Sequence, residues 1–275
     1  MQEKTFAHRP KRACGQNFLT VPYYINRIAE SVFAAASDAV LEIGPGKGAL
    51  TEALLSRFLS LICVEFDRDL VPKLREKFAA SPVTFHQADF LHFDLSQVPS
   101  PLHYAGNLPY NAGALILKKC LLDTKRTASV TFMLQREVVQ RICSAPRSSD
   151  YGFLSVFCQY FGKPELLFVV PPGAFFPPPK IDSAVFRLIV DKTLSSRLPS
   201  DQLEPFFAFV SKGFSMRRKM LAKVLSFNGK PEDRLVIEDA LDKSGIIKSA
   251  RAEELSVEMW LLLYSNLKNS GAAVS

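Results

Sequence analysis

At 275 residues the chain can bury a sizeable core, as one large domain or one large plus one small. Its net charge of +7, from 34 basic against 27 acidic residues, permits a polyanionic partner without requiring one. A bilayer-spanning apolar run, the apolar segment of a secretory signal and any metal-ligand spacing among its histidines or scattered cysteines (Cys14, Cys63, Cys120, Cys143, Cys158) are all missing, which argues against a membrane protein, a disulfide scaffold and zinc chemistry and for a reduced, cytoplasmic protein.

In chain order, residues 1–20 form a basic lead-in, and a helix is expected over Tyr23 to Ala35. An apolar strand, Ala39 to Ile43, then runs into Gly44-Pro45-Gly46-Lys47-Gly48 and a helical pattern from Ala49 to Phe58. Glycines at such a strand-to-helix junction let the backbone approach a ligand where any side chain would clash. Glu65 falls at the end of the next strand, Leu59 to Phe66, where a carboxylate suits ribose hydroxyls. Asp89 ends a third strand, Val83 to Ala88, and could accept from an adenine amine. For both acids, capping a loop is the plainer role. The glycine spacing fits two cofactors: Gly44-x-Gly46-x-x-Ala49 matches the dinucleotide fingerprint, and Gly44-x-Gly46-x-Gly48 matches the looser S-adenosylmethionine loop. A dehydrogenase would need a hydride-handling site further on, and the sequence offers no such constellation.

The next strand, ending at Ala105, leads to Asn107-Leu108-Pro109-Tyr110. The exocyclic amine of adenine is a poor nucleophile because its lone pair is delocalised into the ring. An acceptor pair that binds both amine hydrogens can hold the nitrogen pyramidal. The Asn107 side-chain oxygen and the Leu108 carbonyl could be that pair, with Pro109 stiffening the turn and Tyr110 offering a flat face to the base. Taken alone, the same four residues read as an ordinary turn. Together with the glycine loop they favour methyl transfer over hydride transfer.

Further strands are expected near 129–134, 166–170 and 184–190, with Pro171 to Pro179 as a stiff loop between the last two. Strand and helix alternate up to about Cys143, which predicts a parallel sheet covered by helices. From Leu198 only helical spacing remains: Leu203 to Phe214, Met220 to Phe227, Arg234 to Leu241 and Ser256 to Leu267. Two domains follow, 1–195 and 196–275. No acid lies between Glu204 and Glu232, whereas Lys212, Arg217, Arg218, Lys219, Lys223 and Lys230 do. A solvated helix face is the ordinary outcome for such a run; phosphate contact is the alternative.

Seven collinear segments resemble the KsgA-type small-subunit ribosomal RNA adenine dimethyltransferases. They are Lys11 to Leu19, Leu41 to Gly48, Asn107 to Asn111, Met133 to Val138, Tyr151 to Val156, Pro171 to Val185 and Phe214 to Lys219. The resemblance implies an α/β Rossmann-like S-adenosylmethionine-dependent methyltransferase sheet of seven strands, the last antiparallel, with a small all-helical C-terminal domain that binds RNA. It implies cofactor contacts from Asn17, Leu19, Gly44, Glu65, Asp89 and Asn107. It assigns catalysis to Asn107, Leu108, Tyr110 and Phe175, with Phe175 rather than Phe176 stacking on the flipped base opposite Tyr110. Arg217, Arg218 and Lys219, with Arg136 and Lys180, are the expected RNA contacts. The implied reaction dimethylates N6 of two adjacent adenosines in the 3′-terminal hairpin of small-subunit rRNA, within an immature small ribosomal subunit, by a monomer that needs no metal. A large-subunit rRNA or DNA adenine methyltransferase, or an assembly factor acting mainly by binding, are the alternatives. Two departures stand out: Cys14 replaces a bulkier residue, and Ala112-Gly113 follows Tyr110-Asn111, which predicts extra room behind the target pocket.

Overall fold

The computed structural model describes residues 16–226 and 231–270, so Lys11 to Gly15 of the opening motif and the basic Lys230 lie outside the described residues. The elements in chain order are β1 (Phe18–Leu19), α1 (Pro22–Ser31), β2 (Ala39–Ile43), α2 (Ala49–Leu55), β3 (Leu61–Glu65), α3 (Val71–Lys77), β4 (Val83–Gln87) and β5 (Leu102–Asn107). There follow α4 (Gly113–Leu122), β6 (Thr127–Gln135), α5 (Arg136–Cys143), α6 (Phe153–Phe161), β7 (Pro164–Val170), β8 (Phe175–Phe176) and β9 (Ser183–Ile189). The remainder is helical: α7 (Lys192–Ser195), α8 (Ser200–Gly213), α9 (Leu221–Leu225), α10 (Pro231–Lys243) and α11 (Val257–Asn269).

Seven strands form one sheet in the order β4-β3-β2-β5-β6-β9-β7. The first five of these run parallel, and β9 lies antiparallel between β6 and β7. Parallel strands covered on both faces read as near-continuous apolar runs, and β2, with Val40, Leu41 and Ile43 all buried, is such a strand. The chain winds outward from β2 to β4, then crosses back to place β5 on the other side of β2. That reversal makes the carboxyl ends of β2 and β5 a topological switch point, where open α/β sheets bind ligands. A separate two-stranded ribbon pairs β1 with β8, Phe18 opposite Phe176 and Leu19 opposite Phe175.

The chain divides into two compact units, residues 1–139 with 164–190 and residues 140–163 with 191–275. The first holds the sheet; the second is helical. The division differs from a single cut after residue 195, because α6 groups with the C-terminal helices. Its aromatic side chains explain this: Phe157 and Phe207 of α8 have ring centroids 4.6 Å apart, and Tyr160 and Phe161 also pack on α8 rings. No periodicity within residues 153–161 announces a partner some fifty residues away.

Candidate active site

The switch point opens into a cavity of about 420 Å³ lined by Asn17, Leu19, Gly44, Glu65, Asp89, Asn107, Leu108 and Tyr110, all of them expected site residues. That volume falls within the range of small-molecule sites. Gly44 and Gly46 both adopt left-handed φ, +68° and +60°, which keeps the loop close to the cavity. A Cβ at Gly46 would stand 3.0 Å from the Phe18 ring, so the loop and the N-terminal segment touch because that position has no side chain.

Glu65 is 6% exposed. Its carboxylate accepts from the Gly46 N–H at 3.0 Å and the Asp67 N–H at 2.8 Å. Burial pushes its pKa up, and these two donors pull it back. Glu65 is therefore both a loop cap and a cavity wall, with lone pairs beyond those two bonds for a diol. Asp89 has the same double character: one oxygen accepts from the Leu91 N–H at 2.9 Å, and the other lies 3.1 Å from His92 Nδ1.

Asn107 ends β5, and its Nδ2 donates to the Asn17 carbonyl at 3.0 Å. With the nitrogen so committed, Oδ1 is the acceptor end of the amide. Leu108 is anchored by its buried side chain and by its N–H, which donates to the Met133 carbonyl at 3.1 Å. The Pro109 carbonyl then accepts from Ala112 and Gly113, closing the turn into α4. The Tyr110 hydroxyl lies 2.8 Å from Ser183 Oγ, and burial raises its pKa, so it stays neutral at ordinary pH. The room expected behind this turn is filled: Leu134 Cδ2 sits 2.3 Å from where a Gly113 Cβ would be.

Three contributors went unrecognised in the sequence. Glu42, at 1% exposure, lines the cavity floor and accepts from Thr51 Oγ1 at 2.6 Å. Burial pushes its pKa up to about 7. Asp67, also buried, accepts from Gln16 Nε2 at 2.9 Å. Phe66 reaches the cavity although it is 66% exposed. An exposed Phe between two buried acids was the available signal.

Phe175 requires a correction. It is 4% exposed, belongs to the apolar cluster with Phe18, Ile28 and Val170, and does not line the cavity. Adjacent residues of a strand point to opposite faces, so β8 buries Phe175 and leaves Phe176 61% exposed. A proline-flanked loop looked too exposed to bury a ring; pairing with β1 supplies the cover. Phe175→Ala should lower the unfolding free energy by about 3–5 kcal/mol in denaturant titration, and Phe175→Leu by clearly less. A loss below about 1 kcal/mol for Phe175→Ala would mean that the ring is not part of the core.

The expected RNA-contact residues are not gathered at the cavity. Arg136 bridges to Asp182 at 3.3 Å, and Lys180 is exposed nearby in the chain. Arg217, in the helical unit, donates to the carbonyls of Ser149 and Tyr151 at 2.7 and 3.0 Å and bridges to Glu253 at 3.1 Å. Arg218 and Lys219 are exposed.

A switch-point cavity with a glycine loop, a ribose-type carboxylate and an amine-accepting turn defines a Rossmann-like methyltransferase. The family model for ribosomal RNA adenine dimethylase matches residues 7–269, and the chain belongs to that family. It is 41% identical over 266 residues to the "Ribosomal RNA small subunit methyltransferase A" of Nitrosospira multiformis, covering 96% of this chain and 99% of that one. The protein of the same name from Marinobacter nauticus is 40% identical over 267 residues, covering 96% and 94%. Among solved structures, a dimethyladenosine transferase from Plasmodium falciparum superposes with a TM-score of 0.81 at 20% identity, over 93% of this chain and 98% of that one. The 23S rRNA methyltransferase ErmE gives 0.69 at 30% identity, over 92% and 100%.

Proposed function

We propose that this protein uses S-adenosylmethionine to dimethylate N6 of two adjacent adenosines in the 3′-terminal hairpin of small-subunit (16S) rRNA, acting as a cytoplasmic monomer on the immature small ribosomal subunit. The observation that carries the reading is the Asn107 amide, whose nitrogen is held by Asn17 so that its oxygen is left to accept from an amine. Small-subunit rather than large-subunit RNA is favoured by identity: about 40% to relatives named for the small subunit, against 30% to ErmE.

The residues present fit the cofactor: the buried Glu65 for ribose, Asp89 for adenine, and Gly44 with Asn17 and Leu19 around the methionine part. When bound, S-adenosylmethionine supplies an electrophilic methyl group on a sulfonium sulfur. The chain does the rest by positioning. Asn107 Oδ1 and the Leu108 carbonyl accept the two amine hydrogens, which localises the lone pair. Tyr110 offers a ring face to the base. No strong base is called for, because an amine that has become cationic loses its proton readily to water. Transfer of labelled methyl groups to unmethylated small subunits, but not to large-subunit RNA or DNA, is the expected outcome; preferential labelling of either of the latter would refute the reading.

We assign RNA phosphate contact in the helical unit to Arg218 and Lys219, and an anchoring role to Arg217, since its guanidinium already holds Glu253 and two carbonyls. Arg218→Gln with Lys219→Gln should change the log–log salt slope of subunit binding by roughly 0.7–0.9 per lost contact. Parallel slopes for wild type and double variant would make them merely a solvated face. S-adenosylmethionine affinity should be unchanged.

A further inference from the structure

The β1–β8 ribbon stands apart from the main sheet, and its contacts run in two directions. Towards the cavity, the Asn17 carbonyl accepts from Asn107, the Phe18 ring rests against Gly46, and Gln16 donates to Asp67. Away from it, Phe18 and Leu19 pair with Phe176 and Phe175, and Thr20 donates to the Ala174 carbonyl twice, from its N–H at 2.9 Å and its Oγ1 at 3.1 Å. The loop that carries β8 ends at Ser183, which is bonded to the Tyr110 hydroxyl. Residues 16–20 thus touch the glycine loop, the catalytic Asn107 and the loop bearing the second aromatic pair.

We propose that this ribbon couples the cofactor site to the target-nucleoside site, with Thr20 as its positioning residue. The inference rests on the methyltransferase reading. A two-stranded ribbon of two residues per strand is marginal by itself, so its order depends on what packs against it. A cofactor contacting Asn17 and Leu19 holds β1; β1 holds β8 through the two Thr20 bonds; β8 then holds the 171–183 loop beside Tyr110. Linkage makes the effect reciprocal: RNA strengthens cofactor binding by the same factor by which cofactor strengthens RNA binding.

The test measures the Kd of unmethylated small subunits with and without saturating S-adenosylhomocysteine, and the Kd of S-adenosylhomocysteine with and without subunits. Wild type should show an enhancement of about 5-fold or more in both directions. Thr20→Val removes the hydroxyl bond and should cut that factor about 2-fold or more. Thr20→Pro also removes the N–H and should bring the factor close to one while thermal unfolding remains cooperative. A wild-type factor of one overturns the coupling. So does an undiminished factor in Thr20→Val, a measurement that decides the matter even if Thr20→Pro does not fold. Failure of S-adenosylhomocysteine to bind under any condition would overturn the cofactor assignment as well, whereas two ligands that bind without influencing each other would remove the coupling alone.

Discussion

Asn107→Ala should slow single-turnover methyl transfer by about 100- to 1,000-fold at saturating cofactor and subunit. The closest physical analogy is loss of one preorganised hydrogen-bonding group aimed at a reacting atom, which costs about 2.7–4 kcal/mol in the transition state. The alanine variant keeps the turn, because Leu108 is held by its own N–H bond to Met133 and by its buried side chain. It loses the acceptor for one amine hydrogen and the bond to Asn17. The first loss acts on the chemical step and the second on the N-terminal segment, so cofactor affinity should fall by a few-fold while subunit affinity in the absence of cofactor holds. A wild-type single-turnover rate would rule out amine polarisation by Asn107.

Glu65→Ala should weaken S-adenosylmethionine binding by about 1–3 kcal/mol, because it removes a buried charged acceptor from the cavity. The geometry adds a second contribution. Glu65 also satisfies the N–H groups of Gly46 and Asp67, and its removal leaves both without that partner beside the glycine loop. Glu65→Gln retains one acceptor oxygen but presents N–H groups where the backbone donates, so it should not restore wild-type affinity. Calorimetry on the folded variants measures this directly, and unchanged affinity in Glu65→Ala would remove the residue from the site.

The parts of the molecule legible in the sequence are those whose cause is local. The strand, glycine loop and helix at 39–55 follow from an apolar run, left-handed backbone positions and helical spacing, all within one short window. Glu65, Asp89 and Asn107 were legible because strand ends are where an open α/β sheet gathers its ligands. Helix ends were less legible: α2 stops at Leu55, short of the apolar spacing that continues to Phe58, because residues beyond it turn back to lead into β3.

What escaped detection depends on partners remote in sequence. Two-residue strands such as β1 and β8 have no periodicity of their own; each exists because the other is there. That pairing is also what buries Phe175, reversing the expectation that a ring next to prolines must be exposed. Gly113 promised space that Leu134 fills, and α6 joined the helical unit through rings on α8. Arg217 shows the same limit for charge: it sits in the longest acid-free window, yet its guanidinium meets Glu253, from well outside that window.

The central claim is that Asn107, Leu108 and Tyr110 present an adenine amine of small-subunit RNA to a methyl group bound over the glycine loop. Its most direct test is to incubate the protein with S-adenosylmethionine and unmethylated small subunits, then map the modified nucleotides and identify them by mass. The account predicts N6,N6-dimethyladenosine at two adjacent positions of the 3′-terminal hairpin and nowhere else. Methylation at a different atom, on a different base, or only in large-subunit RNA would contradict it.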